Sequence, residues 1–278
     1  MVSIHRREFS RVLLAAAACA ARLDAAGAGI DDTLRTGIAQ RKIPAVAGMV
    51  ATRSKTLYRG AFGLRDSSGA ALQADSIFAI ASMTKAITTV AALQLVEQGK
   101  VRLEEPVARF LPKLDKPEVL QGFDPQSGKP ILRPARTRIT LKHLLTHTSG
   151  LCYDTWDGEM FRYSAAIEDA QSPGPLMFEP GARWQYGTGV DWAGRLVETV
   201  SGMSLEDYFQ AKILSPLEMP DTSFLVPQAK FDRLVSTSRR GSNGALEQDE
   251  RSYRRTPKHS TEVVASIPPA PITCVSCR

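Results

Sequence analysis

A chain of 278 residues with 43% hydrophobic content is long enough to bury a sizeable core in one globular body of one or two subdomains. Its net charge of +6 sits at the two ends: residues 1–22 contribute +3 and residues 251–278 contribute +4, which leaves 23–250 at −1. A body this close to neutral offers no basic stripe, which excludes a nucleic-acid partner held through its phosphates.

The N-terminal run "HRREFSRVLLAAAACAA" pairs Arg6 and Arg7, adds Phe9, and continues as an apolar stretch from Val12 that ends in small residues. This is the pattern of a secretory signal of the twin-arginine type, expected over residues 1–26, with an amphipathic first helix as the alternative. The apolar run is far shorter than the ~20 residues that cross a bilayer. The mature chain is therefore expected in the periplasm or outside the cell, without stable membrane insertion. Next, "IDDTLRTGIAQRK" carries Ile30, Leu34 and Ile38 at helical spacing and predicts a surface helix that closes before Pro44. "AVAGMVAT" and "TLYRGAFG" predict two strands joined by a short polar turn around Arg53 to Lys55. The stretch from Leu111 to Arg138, rich in Pro, Gly and charge and with little periodicity, predicts an ordered surface excursion rather than a domain linker. "TLKHLLTHTSG" predicts a short helix capped by Thr140 and ended by Gly150. "GVDWAGRLVETVSG" and "SLEDYFQAKILSPL" predict two amphipathic helices, the second capped by Ser204 with Asp207 three residues on. Of the four cysteines, Cys152 stands alone, while Cys274 and Cys277 form "CVSC". That pair has the spacing of a redox or half-zinc motif but no second pair and no strand–helix context, so no metal or cofactor is expected.

Chemistry concentrates in "FAIASMTKAITTVAALQLVEQGK", where Ser82 and Lys85 open an apolar helical run. With the helix starting near Ser82, residues at i and i+3 share one face. The serine lies at the positive end of the helix dipole, and the lysine is carried into the interior behind it. Desolvation lowers a lysine pKa, so Lys85 is expected to accept a proton from an attacking Ser82. A capping serine with a snorkelling lysine is the alternative that the spacing alone leaves open.

The Ser82–Lys85 pair is S-x-x-K, the nucleophile motif of serine β-lactamases and penicillin-binding proteins. Together with "ITLKHLLTHTSGL", "EPGARWQYGTGVDWAGRLVETVSGMSLEDYF" and "ILSPLEMPDTSF", it makes Ile30 to Phe224 closely similar to the class C β-lactamase-like family, above all its carboxylesterase branch. The resemblance implies an α/β fold of the β-lactamase/transpeptidase type. That fold is an antiparallel sheet flanked by helices, with an inserted, mostly helical domain. It assigns residues 27–228 to this domain, left incomplete by missing C-terminal strands. It implies a catalytic set of Ser82, Lys85 and Tyr186, the tyrosine coming from "YGT" and relaying a proton between nucleophile and leaving group. Thr188 replaces the asparagine of true β-lactamases and leans toward esters; His147 is implied to be structural; Glu218 stands where the family has glycine and predicts a strained turn. The implied activity is hydrolysis of a small-molecule ester or amide through an acyl-serine, without cofactor or metal. The alternatives are a non-catalytic penicillin-recognising or peptidoglycan-binding module, or an inactive remnant of the esterase.

Residues 229–278 are expected to be a partly unstructured tail: nothing after Phe224 resembles the family's third motif, and "TEVVASIPPAPITCVSCR" resembles nothing in the family. Read out of frame, the stretch from His259 permits a glycine run followed by Ser-Thr and Asp-Tyr, as the family has, so a shifted frame is expected after about residue 258. The family's third motif, which supplies the second oxyanion donor, is absent. The chain is therefore expected to be poorly soluble and weakly active.

Overall fold

The computed structural model describes residues 29–165, 173–248 and 263–266. Helix α1 covers 29–41 and leads to strands β1 (Ala45–Ala51), β2 (Thr56–Gly63) and β3 (Ile77–Ala81). Helix α2 (Thr84–Glu97) follows, then β4 (Glu118–Phe123), β5 (Pro130–Pro134), α3 (Leu141–Leu145) and α4 (Gly158–Ala165). The chain continues through α5 (Gly189–Ser201), α6 (Leu205–Phe209), β6 (Ser238–Arg240), β7 (Leu246–Gln248) and β8 (Val263–Ser266). It divides into two units, whose described residues are 29–79, 225–248 and 264–266 in one and 80–165, 173–224 and 263 in the other. The N-terminal signal and "CVSC" lie outside the described residues.

In the first unit, β1 and β2 form an antiparallel hairpin with Ala45 opposite Gly63 and Val50 opposite Tyr58. Its turn is closed by Thr52, whose N–H donates to Lys55 O at 2.8 Å and whose hydroxyl accepts from Lys55 N at 3.1 Å. Ile30, Leu34 and Ile38 are half-buried along one stripe of α1, as their spacing predicts. The Tyr58 hydroxyl ties β2 to that helix by donating to Asp31 Oδ1 at 2.7 Å. Among the described residues β1 and β2 pair with each other alone, while β8 returns to pair with β3, and β6 with β7.

The second unit is built on α2 and α5. Ala91, Ala92 and Leu95 of α2 and Ala193, Leu196 and Val197 of α5 are fully or almost fully buried in one cluster with Phe209 and Leu214. Small residues on the facing sides let the two helices approach closely, and each large side chain buried this way contributes about 1.5–3 kcal/mol. Helix α5 stops at Gly202, which is left-handed at φ 70° and donates to Glu198 O at 2.9 Å. The predicted caps are present: Thr140 Oγ1 accepts from His143 N at 3.3 Å, and Ser204 Oγ accepts from Asp207 N at 3.1 Å.

Three expectations change. The Leu111–Arg138 excursion contains the β4–β5 hairpin, turned by Asp124, whose Oδ1 accepts from the N–H groups of Gln126 and Ser127 at 3.1 and 2.6 Å. Its strands are masked in sequence because the register slips between Leu120 and Gly122, placing Val119 and Leu120 both in the core and breaking the alternation. Helix α3 ends at Leu145 rather than Gly150, since His147 adopts a left-handed φ of 56°. The last amphipathic helix widens after Phe209 into a π-turn over Gln210–Leu214, with Ser215 N donating to Gln210 O at 3.0 Å. Glu218 sits at φ 54°, the strained turn expected from a glutamate in a glycine position.

Candidate active site

All candidate catalytic residues lie in the second unit. Ser82 stands exposed between β3 and α2, in a turn where Met83 N donates to Ile80 O at 2.9 Å and Lys85 N donates to Ser82 O at 3.1 Å. The turn requires Ala81 at φ 43°, left-handed for a residue with a Cβ, and strain of this kind costs about 1–3 kcal/mol. Helix α2 begins at Thr84 and Met83 is its N-cap, so Ser82 precedes the helix by two residues instead of capping it. Lys85, in the first turn, still points to the same side: Ser82, Lys85, Tyr153, Trp156 and Tyr186 line one open cavity of about 320 Å³.

Tyr186 is placed by a backbone approach. A Cβ on Gly187 would lie 2.1 Å from Leu151 O and 2.4 Å from Cys152 Cα, so only glycine lets these strands of chain touch. Gly187 N donates to His147 Nδ1 at 3.4 Å, and the His147 ring lies 4.8 Å from the Tyr186 ring. Burial, then the Lys85 charge, hold His147 below its usual 6.5, so it packs as a neutral ring against Trp184 and Tyr186. Among the described residues the Tyr186 hydroxyl has no hydrogen-bond partner, and no hydrogen bond joins Ser82 Oγ to Lys85 or Tyr186. Catalytic hydrogen bonds are often long before substrate binds.

Two residues in the site were not predicted. Tyr153, on the loop after α3, accepts a hydrogen bond from Lys85 Nζ at 3.0 Å and donates its own proton to Asp191 Oδ2 at 2.5 Å. Asp191, in the first turn of α5, also lies 3.5 Å from Lys85 Nζ through Oδ1. Lys85 Nζ is 5.4 Å from the centres of both tyrosine rings, so the ammonium sits between Tyr153 and Tyr186.

This arrangement corrects the expected state of the lysine. Burial does push the Lys85 pKa down, and it is the largest influence. The Tyr153 hydrogen bond and the Asp191 charge lead the opposing influences, to which Tyr153 and Tyr186 add electrostatically, and together these outweigh it, so the value ends above the ordinary 10.5. Lys85 is an ammonium at neutral pH, not a resting proton acceptor. Burial and the bond to Asp191 push the Tyr153 phenol up to about 12, which keeps it protonated.

An S-x-x-K serine at a strand-to-helix turn thus stands beside a lysine and a tyrosine in one cavity. The Beta-lactamase family matches residues 30–267, and the chain belongs to that family. It is 37% identical over 257 residues to monacolin J acid methylbutanoyltransferase of Aspergillus terreus, covering 84% of this chain and 62% of that protein. It is 35% identical over 228 residues to esterase EstB of Burkholderia gladioli, covering 76% of this chain and 53% of that protein. Among solved structures, a LovD6 mutant of simvastatin synthase from Aspergillus terreus superposes with a TM-score of 0.78 at 37% identity, covering 87% of this chain and 63% of that one. The fold is therefore of the β-lactamase/transpeptidase type. The chain spans between about half and two thirds of the length of these relatives.

Proposed function

We propose that the protein is a serine hydrolase that cleaves a small-molecule ester through an acyl-serine intermediate, a carboxylesterase in its simplest use. The observation that carries this reading is the single cavity that gathers an exposed Ser82, the Lys85 ammonium and the Tyr186 hydroxyl. Ser82 Oγ attacks the ester carbonyl carbon and passes its proton to the Tyr186 oxygen, which gives its own proton to the departing alcohol. The Lys85 charge stabilises the negative charge that builds on Tyr186 while both protons are in flight. The Ser82 backbone N–H, at the positive end of α2, faces the carbonyl oxygen as one oxyanion donor. Water then enters by the same relay run in reverse, releasing the acid and restoring Ser82.

An alcohol can take the place of water in the second half, and the name of the Aspergillus relative, a methylbutanoyltransferase, supports acyl transfer as a second reading. The twin-arginine pattern at the N-terminus supports a periplasmic or secreted location. The test is hydrolysis of short-chain nitrophenyl esters by the wild type and by Ser82→Ala, with and without an added alcohol. Loss of nitrophenol release in the variant is expected; release at the wild-type rate rejects the assignment. Labelling of Ser82 by a fluorescent β-lactam with no ester turnover would instead favour a binding module.

A further inference from the structure

We propose that Asp191 is a positioning residue for the Ser82 reaction: acting directly on Lys85 and through the Tyr153 hydroxyl, it fixes the lysine as an ammonium and withdraws Tyr153 from proton transfer, leaving Tyr186 to carry the proton. This rests on the acyl-serine reading above. The geometry is a closed triangle. Asp191 Oδ2 accepts from Tyr153 at 2.5 Å, the Tyr153 oxygen accepts from Lys85 Nζ at 3.0 Å, and Asp191 Oδ1 faces Nζ at 3.5 Å. Tyr153 has one proton, and it is committed to the carboxylate; to serve Ser82, the tyrosine would first have to break that bond. Tyr186, the other ring beside the ammonium, has an uncommitted hydroxyl among the described residues. The side chains of Lys85 and Asp191 are only 16% and 23% exposed, so their mutual attraction is weakly screened.

An ion pair that merely fastens α5 to α2 would have the same distances, so the test must read the lysine charge. The groups facing Lys85 are Asp191 from α5, Tyr186 from the segment before it, and Tyr153 and His147 from the loop after α3. His147 is held below 6.5 and is already neutral above pH 7, so it contributes no step there. With Asp191 present, the Lys85 pKa lies above the ordinary 10.5, so a flat rate is expected between about pH 7.5 and 10. Asp191→Asn keeps the shape and an acceptor for Tyr153 but removes the charge, leaving the downward push of burial less opposed.

The expected result for Asp191→Asn is a basic limb within that window, with kcat falling by roughly tenfold toward pH 10 while KM is unchanged. Asp191→Glu should restore a flat profile. A wild-type profile in Asp191→Asn overturns the proposal, and so does a kcat that rises with pH, because a neutral Lys85 would then be the base. The nitrogen chemical shift of Lys85 Nζ, identified by its loss in Lys85→Arg, follows the same titration in a folded variant that turns over slowly. If it does not titrate earlier in Asp191→Asn, the proposal fails on that ground alone. Activity surviving in Ser82→Ala would reject the acyl-serine reading instead, so the two failures are distinguishable.

Discussion

Gly187→Ala tests whether the site depends on the close approach of two loops. The added Cβ would stand 2.1 Å from Leu151 O and 2.4 Å from Cys152 Cα, both backbone atoms that cannot turn aside. Restoring ordinary contact requires a displacement of about 1 Å, and overpacking of this kind costs about 1–3 kcal/mol. At about 2–4 °C per kcal/mol for a domain of this size, the melting temperature should fall by roughly 2–12 °C. The larger effect is on chemistry, because Tyr186 adjoins the displaced residue. A misplacement of about 1 Å can lower kcat by about 10²-fold. The assay is ester hydrolysis well below the melting transition, with Gly202→Ala as the comparison. A Cβ on Gly202 meets nothing within 4 Å, and only its φ of 70° is unfavourable, so that variant should lose stability and keep its rate. Gly187→Ala with wild-type rate and melting would refute the reasoning.

Lys85→Ala and Tyr186→Phe should each lower kcat by about 10²–10⁴-fold, and the double variant should fall little further because the two act as a unit. Additive losses would mean that they share no proton path. Glu179 accepts from Arg136 N at 3.0 Å and Thr137 N at 3.2 Å and pairs with Arg133, whose hydrogen bond leads the influences that hold its carboxyl below 4.5. A carboxyl depressed by folding stabilises fully above its unfolded value and loses that contribution as pH falls through its folded value. The melting temperature should therefore fall on acidification below about pH 4.5, and Glu179→Gln should flatten that part of the curve. An unchanged slope in the variant would place the acid sensitivity elsewhere.

What could be read ahead of the structure was whatever local chemistry dictates. Thr140 and Ser204 cap helices because their hydroxyls reach backbone N–H groups three residues on, and that needs no tertiary context. The S-x-x-K pair and the tyrosine of "YGT" are short motifs whose residue types announce a reaction, and the cavity gathers all three. Tyr153 and Asp191 carried no such signal. An aspartate in the first turn of a helix reads as a dipole partner, and a tyrosine in "LCYDTW" reads as loop packing. Their roles exist only where α5 and the loop after α3 meet Lys85. The state of Lys85 is hidden for the same reason: burial is legible in an apolar run, but Tyr153, Asp191 and Tyr186, which oppose it, are distant in sequence. Ala81 hides its strain because nothing about an alanine marks a left-handed backbone. The β4–β5 hairpin was hidden by its own bulge.

The central claim is an acyl group carried by Ser82, and mass spectrometry of the protein quenched during reaction with an activated short-chain ester reads it directly. The account predicts one added acyl mass on the peptide containing Ser82, absent in Ser82→Ala and accumulating in Tyr186→Phe only slowly. Acylation at another residue, or turnover of the ester with no acyl-protein at any time, would contradict it.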